Sequence, residues 1–180
     1  PKQVGALTNW VNTISGGSGY TVATKTDGTL WSWGYNAQGQ LGLGNTTNYS
    51  SPKQVGALTT WSKISSSSAS GFTIATKTDG TLWSWGQNNQ GQLGDGTVTY
   101  RSSPVQVGAL TTWLTISGGN IHTLAIKTDG TLWSWGYSGQ GQLGLGNLTS
   151  YSSPKQVGAL TAWLTVACGE NYSLATKTGG

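Results

Sequence analysis

The sequence contains little of the material from which catalytic and metal sites are built. Only 8% of its 180 residues are charged, about a third of the share near 25% found in ordinary globular proteins. A lone cysteine, Cys168, excludes an intrachain disulfide, and one cysteine with one histidine cannot build a zinc cluster. No apolar run approaches the ~20 residues of a membrane-spanning helix, and no signal peptide is visible.

The acidic residues are too few for a carboxylate pair. Of the five, Asp27, Asp79 and Asp129 each precede a glycine in the same repeated motif, where a turn explains them. Only Asp95 and Glu170 remain, so we do not expect acid–base chemistry by paired carboxylates.

The single histidine and cysteine both stand at repeated positions. His122 occupies the place held in the other units by an aromatic side chain (Tyr20, Phe72, Tyr172), and Cys168 occupies that of a small residue (Gly16, Ser66, Gly118). These positions favour a packing role for the histidine over that of a general base, and a tolerated small residue over a reactive thiol. We therefore predict that the protein is not an enzyme and uses no cofactor.

The net charge of +4 comes from nine basic and five acidic residues. Seven of the basic residues fall at two repeated positions: Lys2, Lys53 and Lys155 at one, and Lys25, Lys77, Lys127 and Lys177 at the other. They are spread along the repeats and not clustered as in a nucleic-acid footprint. We expect solvated lysines and no nucleic-acid partner.

Internal repetition is the main signal in the sequence. Prolines at 1, 52, 104 and 154 open four units, and the string Lys-Thr-Asp-Gly-Thr-Leu-Trp-Ser-Trp-Gly recurs unchanged at 25–34, 77–86 and 127–136. We divide the single array 1–180 into units 1–51, 52–103 and 104–153 and a partial unit 154–180. Because the last unit stops before its Trp-Ser-Trp, we expect a segment of a longer array, or association with another chain that covers the ends.

Each unit has the chemistry of four short strands. In the first unit, β-rich runs at 20–25 and 29–33 flank Asp27-Gly28, a pair typical of a type I′ hairpin in which both residues need positive φ. A shorter run at 12–15 precedes them, and 1–7 can form an edge strand with its proline at the start. Four antiparallel strands per ~50 residues predict an all-β propeller with four-stranded blades, about three and a half of them here.

The tryptophans fit the packing of such blades. Trp31 and Trp33 share one face of their strand, and Leu30, Ser32 and Gly34 share the other. A large face and a small face allow one blade to fill the shallow side of the next. We therefore predict that the tryptophans are core residues and not an aromatic ligand cage.

The motifs closely resemble the repeats of the regulator of chromosome condensation family. The resemblance rests on Trp-Ser-Trp-Gly followed by Gly-Gln-Leu-Gly, preceded by 117–125 in the third unit and similarly by 167–175 in the fourth. It covers the whole chain and implies a propeller, commonly of seven blades.

The family's functions are diverse. They include a guanine-nucleotide exchange factor that binds a small GTPase and chromatin, ubiquitin-ligase scaffolds, light-receptor relatives and a secreted bacterial inhibitor of β-lactamases. The exchange factor carries an inserted wedge and a basic tail, which these units of nearly equal length lack. We therefore do not expect exchange activity.

Positions that differ between otherwise identical units are candidates for partner binding. One set follows each Trp-Ser-Trp-Gly, and a second lies before the next proline, where Asp95 replaces Leu43 and Leu145, and Arg101 replaces Ser50 and Ser152. A third is the loop 65–71, which is longer in unit two. The predicted partner-binding residues are Tyr35, Asn36, Gln87, Asn88, Asp95, Arg101, Tyr137 and Ser138. Such residues on a rigid scaffold suit protein recognition; the alternative is neutral drift after recent duplication.

Two functions agree with these observations. The first is a non-catalytic scaffold for protein–protein interaction, whose partner is another protein, further copies of this chain or the rest of a longer propeller. The second is a structural or adhesive component of a virion tail or cell surface that contacts a receptor or glycan. The near-identity of the units and the shortage of Lys and Glu favour an extracellular or virion setting.

Overall fold

A computed structural model describes residues 9–179, apart from the side chains of residues 11 and 12. These residues form strands, turns and loops. The first blade contains β1 (Trp10–Gly17), β2 (Tyr20–Lys25), β3 (Leu30–Gly34) and β4 (Tyr49–Gln54); the second β5 (Trp61–Ser66), β6 (Phe72–Lys77), β7 (Leu82–Gly86) and β8 (Arg101–Gln106); the third β9 (Trp113–Gly118), β10 (His122–Lys127), β11 (Leu132–Gly136) and β12 (Tyr151–Gln156); and the last β13 (Trp163–Cys168) and β14 (Ser173–Lys177). Within this range no helix is long and apolar enough to cross a membrane.

The strands form three four-stranded antiparallel sheets and one two-stranded sheet, each in simple sequence order. The first strands of successive sheets, β1, β5, β9 and β13, contact one another, so they lie nearest the common axis, while β4, β8 and β12 lie outermost. The predicted all-β fold with about three and a half propeller blades is confirmed.

The repeated Asp-Gly turns differ from the type I′ prediction. Gly28 has a φ of 76°, as expected, but no non-glycine residue within 9–179 has a positive φ. The Gly28 amide donates to the Lys25 carbonyl (2.9 Å) and the Lys25 amide to the Thr29 carbonyl (3.0 Å). The turn is therefore a three-residue loop with a type I turn and a left-handed glycine, which leaves Asp27 in ordinary backbone space.

The proline-containing strand closes a blade and does not open one. Pro52 lies inside β4, which pairs with β3 of the same blade, and the ladder is irregular between Gly34 and Ser32, opposite the stretch that holds Pro52. A proline is tolerated there because the ladder needs no N–H at an irregular edge position. The blades thus run from a tryptophan to a glutamine and are offset from the units counted by proline. The strand predicted at 1–7 lies outside the described residues.

Tryptophans connect each blade to the one before it, as the core prediction requires. Trp85 and Trp135 are completely buried. Their indole N–H groups donate to the backbone carbonyls of Gln40 (2.9 Å) and Gln92 (3.0 Å), which belong to loops of the preceding blades. The threonine hydroxyls of the neighbouring strands, at Thr73 and Thr123, donate to these same two carbonyls. Burial with the polar group satisfied makes each seam both apolar and specific.

The prediction of solvated lysines is wrong for three of the four lysines in one repeated set, while the fourth, Lys177, is exposed. Lys25, Lys77 and Lys127 are buried, and their Nζ atoms lie 3.6, 3.5 and 3.5 Å from the ring centroids of the first tryptophan of each Trp-Ser-Trp. Cation–π attraction and burial of the long stems explain this placement. Burial lowers the pKa of Lys77 and of Lys127, against the opposing attraction of Asp79 and Asp129.

Candidate partner-binding surface

The long loops between the third and fourth strands of each blade, 35–48, 87–100 and 137–150, lie at one end of the blades. The Asp-Gly turns lie at the other end, because each third strand begins beside the turn and ends at the long loop. We call the end with the long loops the loop face and the other end the turn face.

Each long loop is held by a buried polar side chain near its start. The Asn88 amide donates to the carbonyls of Thr97 and Thr99 (both 3.1 Å) and accepts from the Leu93 amide (2.9 Å). Asn36 makes equivalent bonds in blade one, and the hydroxyl of Ser138 reaches the Asn147 carbonyl at 3.5 Å. Paired buried polar groups of this kind fix one loop conformation.

Three predicted partner-binding residues are therefore corrected. Asn36, Asn88 and Ser138 are completely buried and are engaged inside their own loops. They position the loop face but do not form part of its outer surface.

The remaining residues of this set do reach the surface. Tyr35 is 45% exposed, and Gln87 and Tyr137 are partly exposed. The backbone amides of Tyr35 and Gln87 donate to Gly19 and Gly71 of the neighbouring hairpins (both 2.8 Å). Their side chains thus stand on a fixed backbone, which lowers the entropy lost on binding.

The loop tips add three apolar side chains that sequence reasoning missed. Val98 is 61%, Tyr100 45% and Leu148 66% exposed. The signal was present, because Val98 and Leu148 occupy the position of Thr46, and Tyr100 that of Asn48 and Ser150. Exposed tyrosine and aliphatic side chains that differ between units are typical of protein-contact surfaces.

Asp95 and Arg101 form an ion pair across their loop. The Arg101 Nε donates to the Asp95 Oδ2 at 2.8 Å, with side-chain exposures of 33% and 2%. Burial alone would raise the pKa of Asp95, but hydrogen bonds from Thr97 and Arg101 outweigh it and the pKa is lowered. Asp95 is thus an internal anchor, and Arg101 is the member of the pair that faces solvent.

The pairing of β7 with β8 shows that Arg101 is not equivalent to Ser50 and Ser152, as the sequence suggested. Arg101 lies opposite Gly86, as Tyr49 lies opposite Gly34 and Tyr151 opposite Gly136. Arg101 therefore replaces a tyrosine, not a serine.

The longer loop at 65–71 is tied to the next blade. The Ser67 hydroxyl donates to the Asn120 carbonyl at 2.9 Å, and the Ser70 hydroxyl donates to the Asn120 side-chain oxygen. Ser68 and Ala69 remain exposed at its tip. Most of the variation in this loop therefore serves contact between blades.

Two ionisable groups, the buried His122 and the half-buried Cys168, lie at the seam between the third and fourth blades. His122 is completely buried with its Nε2 3.0 Å from the Ser173 hydroxyl, and burial lowers its pKa to about 4. Burial raises the pKa of Cys168 to about 11, and its thiol donates to the Ser117 carbonyl at 3.2 Å. A neutral imidazole and a protonated thiol are packing groups, as predicted.

The turn face carries the remaining repeated acids. The Oδ1 atoms of Asp27, Asp79 and Asp129 accept bonds from the amide and hydroxyl of the threonine two residues on, and these bonds lower the pKa of all three. In the part of the chain that the structure describes, no three His, Cys, Asp or Glu side chains group as metal ligands.

Two equivalent grooves lie where the linkers between blades pass the tryptophans. Trp61 and Trp83 line one of about 340 Å³, and Trp113 and Trp133 line another of about 280 Å³. Both are mainly apolar and wide enough for an aliphatic side chain, and neither contains an acid–base pair.

Comparison with known families gives matches along most of the chain. A family model described as the regulator of chromosome condensation (RCC1) repeat matches residues 27–75, 79–126 and 129–176. A second model of the same description matches 11–40, 62–92 and 114–142.

Curated relatives share about a third of the aligned residues. The ultraviolet-B receptor UVR8 of Arabidopsis thaliana is 35% identical over 112 residues, covering 62% of this chain and 26% of the receptor. Protein RCC2 of Mus musculus is 34% identical over 111 residues, covering 59% of this chain and 21% of RCC2. The matches thus span about a quarter of the length of these relatives.

Solved structures show the same fold. Prp20p of Saccharomyces cerevisiae, studied for its binding to Gsp1p and histones, has a TM-score of 0.81 at 20% identity, covering 94% of this chain and 44% of Prp20p. The same yeast protein bound to Kap60 has a TM-score of 0.80 at 20% identity, covering 94% of this chain and 43% of the other. At such identity the likeness concerns the fold alone.

Proposed function

Because this chain belongs to the regulator of chromosome condensation (RCC1) repeat family, we propose that it is a non-catalytic propeller scaffold that binds a protein partner through its loop face. The observation that carries the proposal is that buried and exposed side chains have different roles in each long loop. Buried polar side chains keep the backbone the same in each blade, while exposed tyrosine, arginine and aliphatic side chains differ from blade to blade.

The chemistry of the described residues supports binding in preference to catalysis. The carboxylates of Asp27, Asp79, Asp129 and Asp95 are engaged in turns or an ion pair. The buried histidine has no nucleophile beside it except a serine hydroxyl that itself donates to the Gln142 carbonyl at 2.7 Å. The side chains that remain at the surface are suited to contact with another protein and not to covalent catalysis.

The relatives support the same class of function. Prp20p is described with Gsp1p, histones and Kap60, all of them proteins. The present chain spans less than half of Prp20p, so the identity of its partner cannot be transferred. Protein binding by a repeated propeller surface is the feature that we carry over.

The proposal is tested by removing the loop-face tyrosines together. The triple variant Tyr35→Ala, Tyr100→Ala, Tyr137→Ala is compared with a turn-face control, Leu58→Ala, Leu110→Ala, Leu160→Ala, which truncates three half-exposed side chains at the opposite end. Proteins retained from an extract of the source cells are quantified by mass spectrometry. We expect specific partners to be lost from the loop-face variant and kept by the control.

Equal retention by both variants would overturn the assignment of the loop face. The non-catalytic part has its own test, in which release of a fluorescent guanine nucleotide from a small GTPase is followed with and without the chain. Accelerated release would contradict it.

A further inference from the structure

The outer rim of blade two differs from its neighbours at four adjoining positions. In blades one and three an asparagine amide donates to a tyrosine hydroxyl (3.3 and 3.4 Å), and a lysine Nζ lies 5.5 or 5.3 Å from the centre of the same tyrosine ring. In blade two the Leu, Asn, Tyr and Lys of this cluster are replaced by Asp95, Thr97, Arg101 and Val105.

The four replacements fit one another. Arg101 takes the place of the tyrosine. Asp95 takes the place of the leucine and accepts a hydrogen bond from the Arg101 Nε at 2.8 Å. Thr97 takes the place of the asparagine and supplies a hydroxyl 3.3 Å from the Arg101 Nη2. Val105 removes the lysine that would otherwise place a second positive charge on the same rim. A hydrogen-bonded ion pair has thus replaced a tyrosine–lysine stack as a unit.

The internal contacts use only part of the guanidinium. Arginine has five N–H donors in a planar fork, and Asp95 and Thr97 engage the edge formed by Nε and Nη2. Within residues 9–179 no acceptor is bonded to Nη1. The outer edge of the fork, Nη1 with Nη2, is therefore available, and this edge matches a carboxylate in a bidentate pair.

The position of the side chain favours recognition from outside. Arg101 is held by a nearly fully buried carboxylate and is itself one-third exposed, so it is pre-oriented yet accessible. Val98 and Tyr100, both exposed, belong to the same loop. Arginine and tyrosine are enriched in interface hot spots, and the net charge of +4 favours an acidic partner.

We propose that Arg101 is the anchor of the loop face and binds a carboxylate in a segment of the partner protein that is rich in acidic residues and leucine. This inference rests on the proposed function and makes it specific. Blade two supplies the polar anchor, and the tyrosines of the neighbouring loops supply apolar contact area.

The sequence offers a direct reporter, because Arg101 is the only arginine. Its Nε–H gives one resolved ¹⁵N signal, which can be followed during titration with the peptide Ac-Leu-Glu-Leu-Glu-NH₂ and with its uncharged counterpart Ac-Leu-Gln-Leu-Gln-NH₂. We expect a saturable shift and about tenfold tighter binding of the glutamate peptide, the preference that one charged hydrogen-bonded pair provides.

Two variants with the same change in net charge distinguish specific binding by Arg101 from general electrostatic attraction of the acidic peptide to the positively charged protein. Arg101→Tyr restores the residue of the sister blades and removes one positive charge, and Lys53→Ala removes one positive charge from blade one. We expect Arg101→Tyr to abolish the preference for glutamate and Lys53→Ala to keep it. Thermal melting of each variant checks that the blades remain folded.

Equal affinity for the two peptides in the unmodified chain, or no saturable shift up to about 10 mM, would overturn the anchor. Loss of preference in both variants would also overturn it. These outcomes are distinct from failure of the proposed function, because the triple-tyrosine experiment does not depend on the carboxylate.

Discussion

Gly80 gives the sharpest test of how the blades are joined. Its φ is 77°, and a Cβ added there would lie 2.0 Å from the Thr111 carbonyl oxygen and 2.8 Å from its carbon. The Gly80 carbonyl also accepts the Trp113 amide at 3.1 Å. Gly80→Ala would therefore both strain its own backbone and push away the linker that leads into blade three.

The magnitude follows from these contacts. Left-handed backbone costs alanine about 1–2 kcal/mol, loss of the Trp113 amide bond costs about 1 kcal/mol, and displaced packing of a buried tryptophan adds about 1 kcal/mol. We expect Gly80→Ala to lower the free energy of unfolding by about 3–4 kcal/mol.

Gly108→Ala is the matched control, since its φ is 63° but a Cβ there would meet nothing within 4 Å. It should cost only the backbone term of about 1–2 kcal/mol. Urea unfolding followed by tryptophan fluorescence measures both. If the two variants agree within about 0.5 kcal/mol, steric contact between turn and linker is not what joins the blades.

Three further predictions concern the seams and the loops. The pKa of His122 is lowered to about 4 from a usual value of 6.5, so the unfolded chain binds the proton first as pH falls. Stability should decrease from pH 6.5 to about 4, by up to about 3 kcal/mol, and His122→Phe should remove this dependence; a flat profile in the unmodified chain would contradict it. Trp85→Ala should cost about 3–5 kcal/mol and Trp83→Ala less, because Trp83 is only partly buried; the reverse order of melting temperatures would refute the packing argument. Asn88→Ala should increase amide exchange throughout loop 87–100, whereas Asn89→Ala, at an exposed position, should not; equal exchange in the two would show that Asn88 does not hold the loop.

Local structure was predictable from the sequence because the repeats are nearly identical to one another. Gly28 was expected to have positive φ and does, since an Asp-Gly pair between β-rich runs has few other conformations. The exact turn was not, because a two-residue and a three-residue loop share the same Asp-Gly signal and differ in the φ of Asp27. Only the hydrogen bonds from Lys25 decide between them.

The blade boundary could not be read from the repeat itself. A repeat has no intrinsic first residue, and a strand with a proline can open one sheet or close another. Pro52 closes its blade because the stretch that contains it lies opposite an irregularity of the ladder, which is a property of pairing and not of composition.

Site prediction failed where variability was equated with exposure. The position of Asn36 and Asn88 varies only in the third unit, where it is Ser138, yet all three side chains are buried. Serine is tolerated there because it keeps one of the loop contacts that asparagine makes. The exposure of Val98 and Leu148 was not predicted, and an apolar residue type gives no sign of it, because such side chains are usually buried. The distinction depends on which way each loop residue faces, and this is fixed by the Asn36-type hydrogen bonds. The extracellular or virion setting stays a prediction.

The scarcity of acidic residues links the core to the proposed surface. Nine basic side chains share five carboxylates, one of which is paired with Arg101, so at least four of the eight lysines cannot have an ion pair of their own. Three lysines are placed over tryptophan rings at the turn-side end of the blades. These three cations are committed to packing, and Lys53 and Lys155 lie beside the rings of Tyr49 and Tyr151 on the outer rims of blades one and three. Arg101 is the exception, because it received its own carboxylate from Asp95 and needs no ring. A chain that uses lysine as part of its core thus presents one oriented guanidinium at the surface, and this is where we expect partner selectivity to be concentrated.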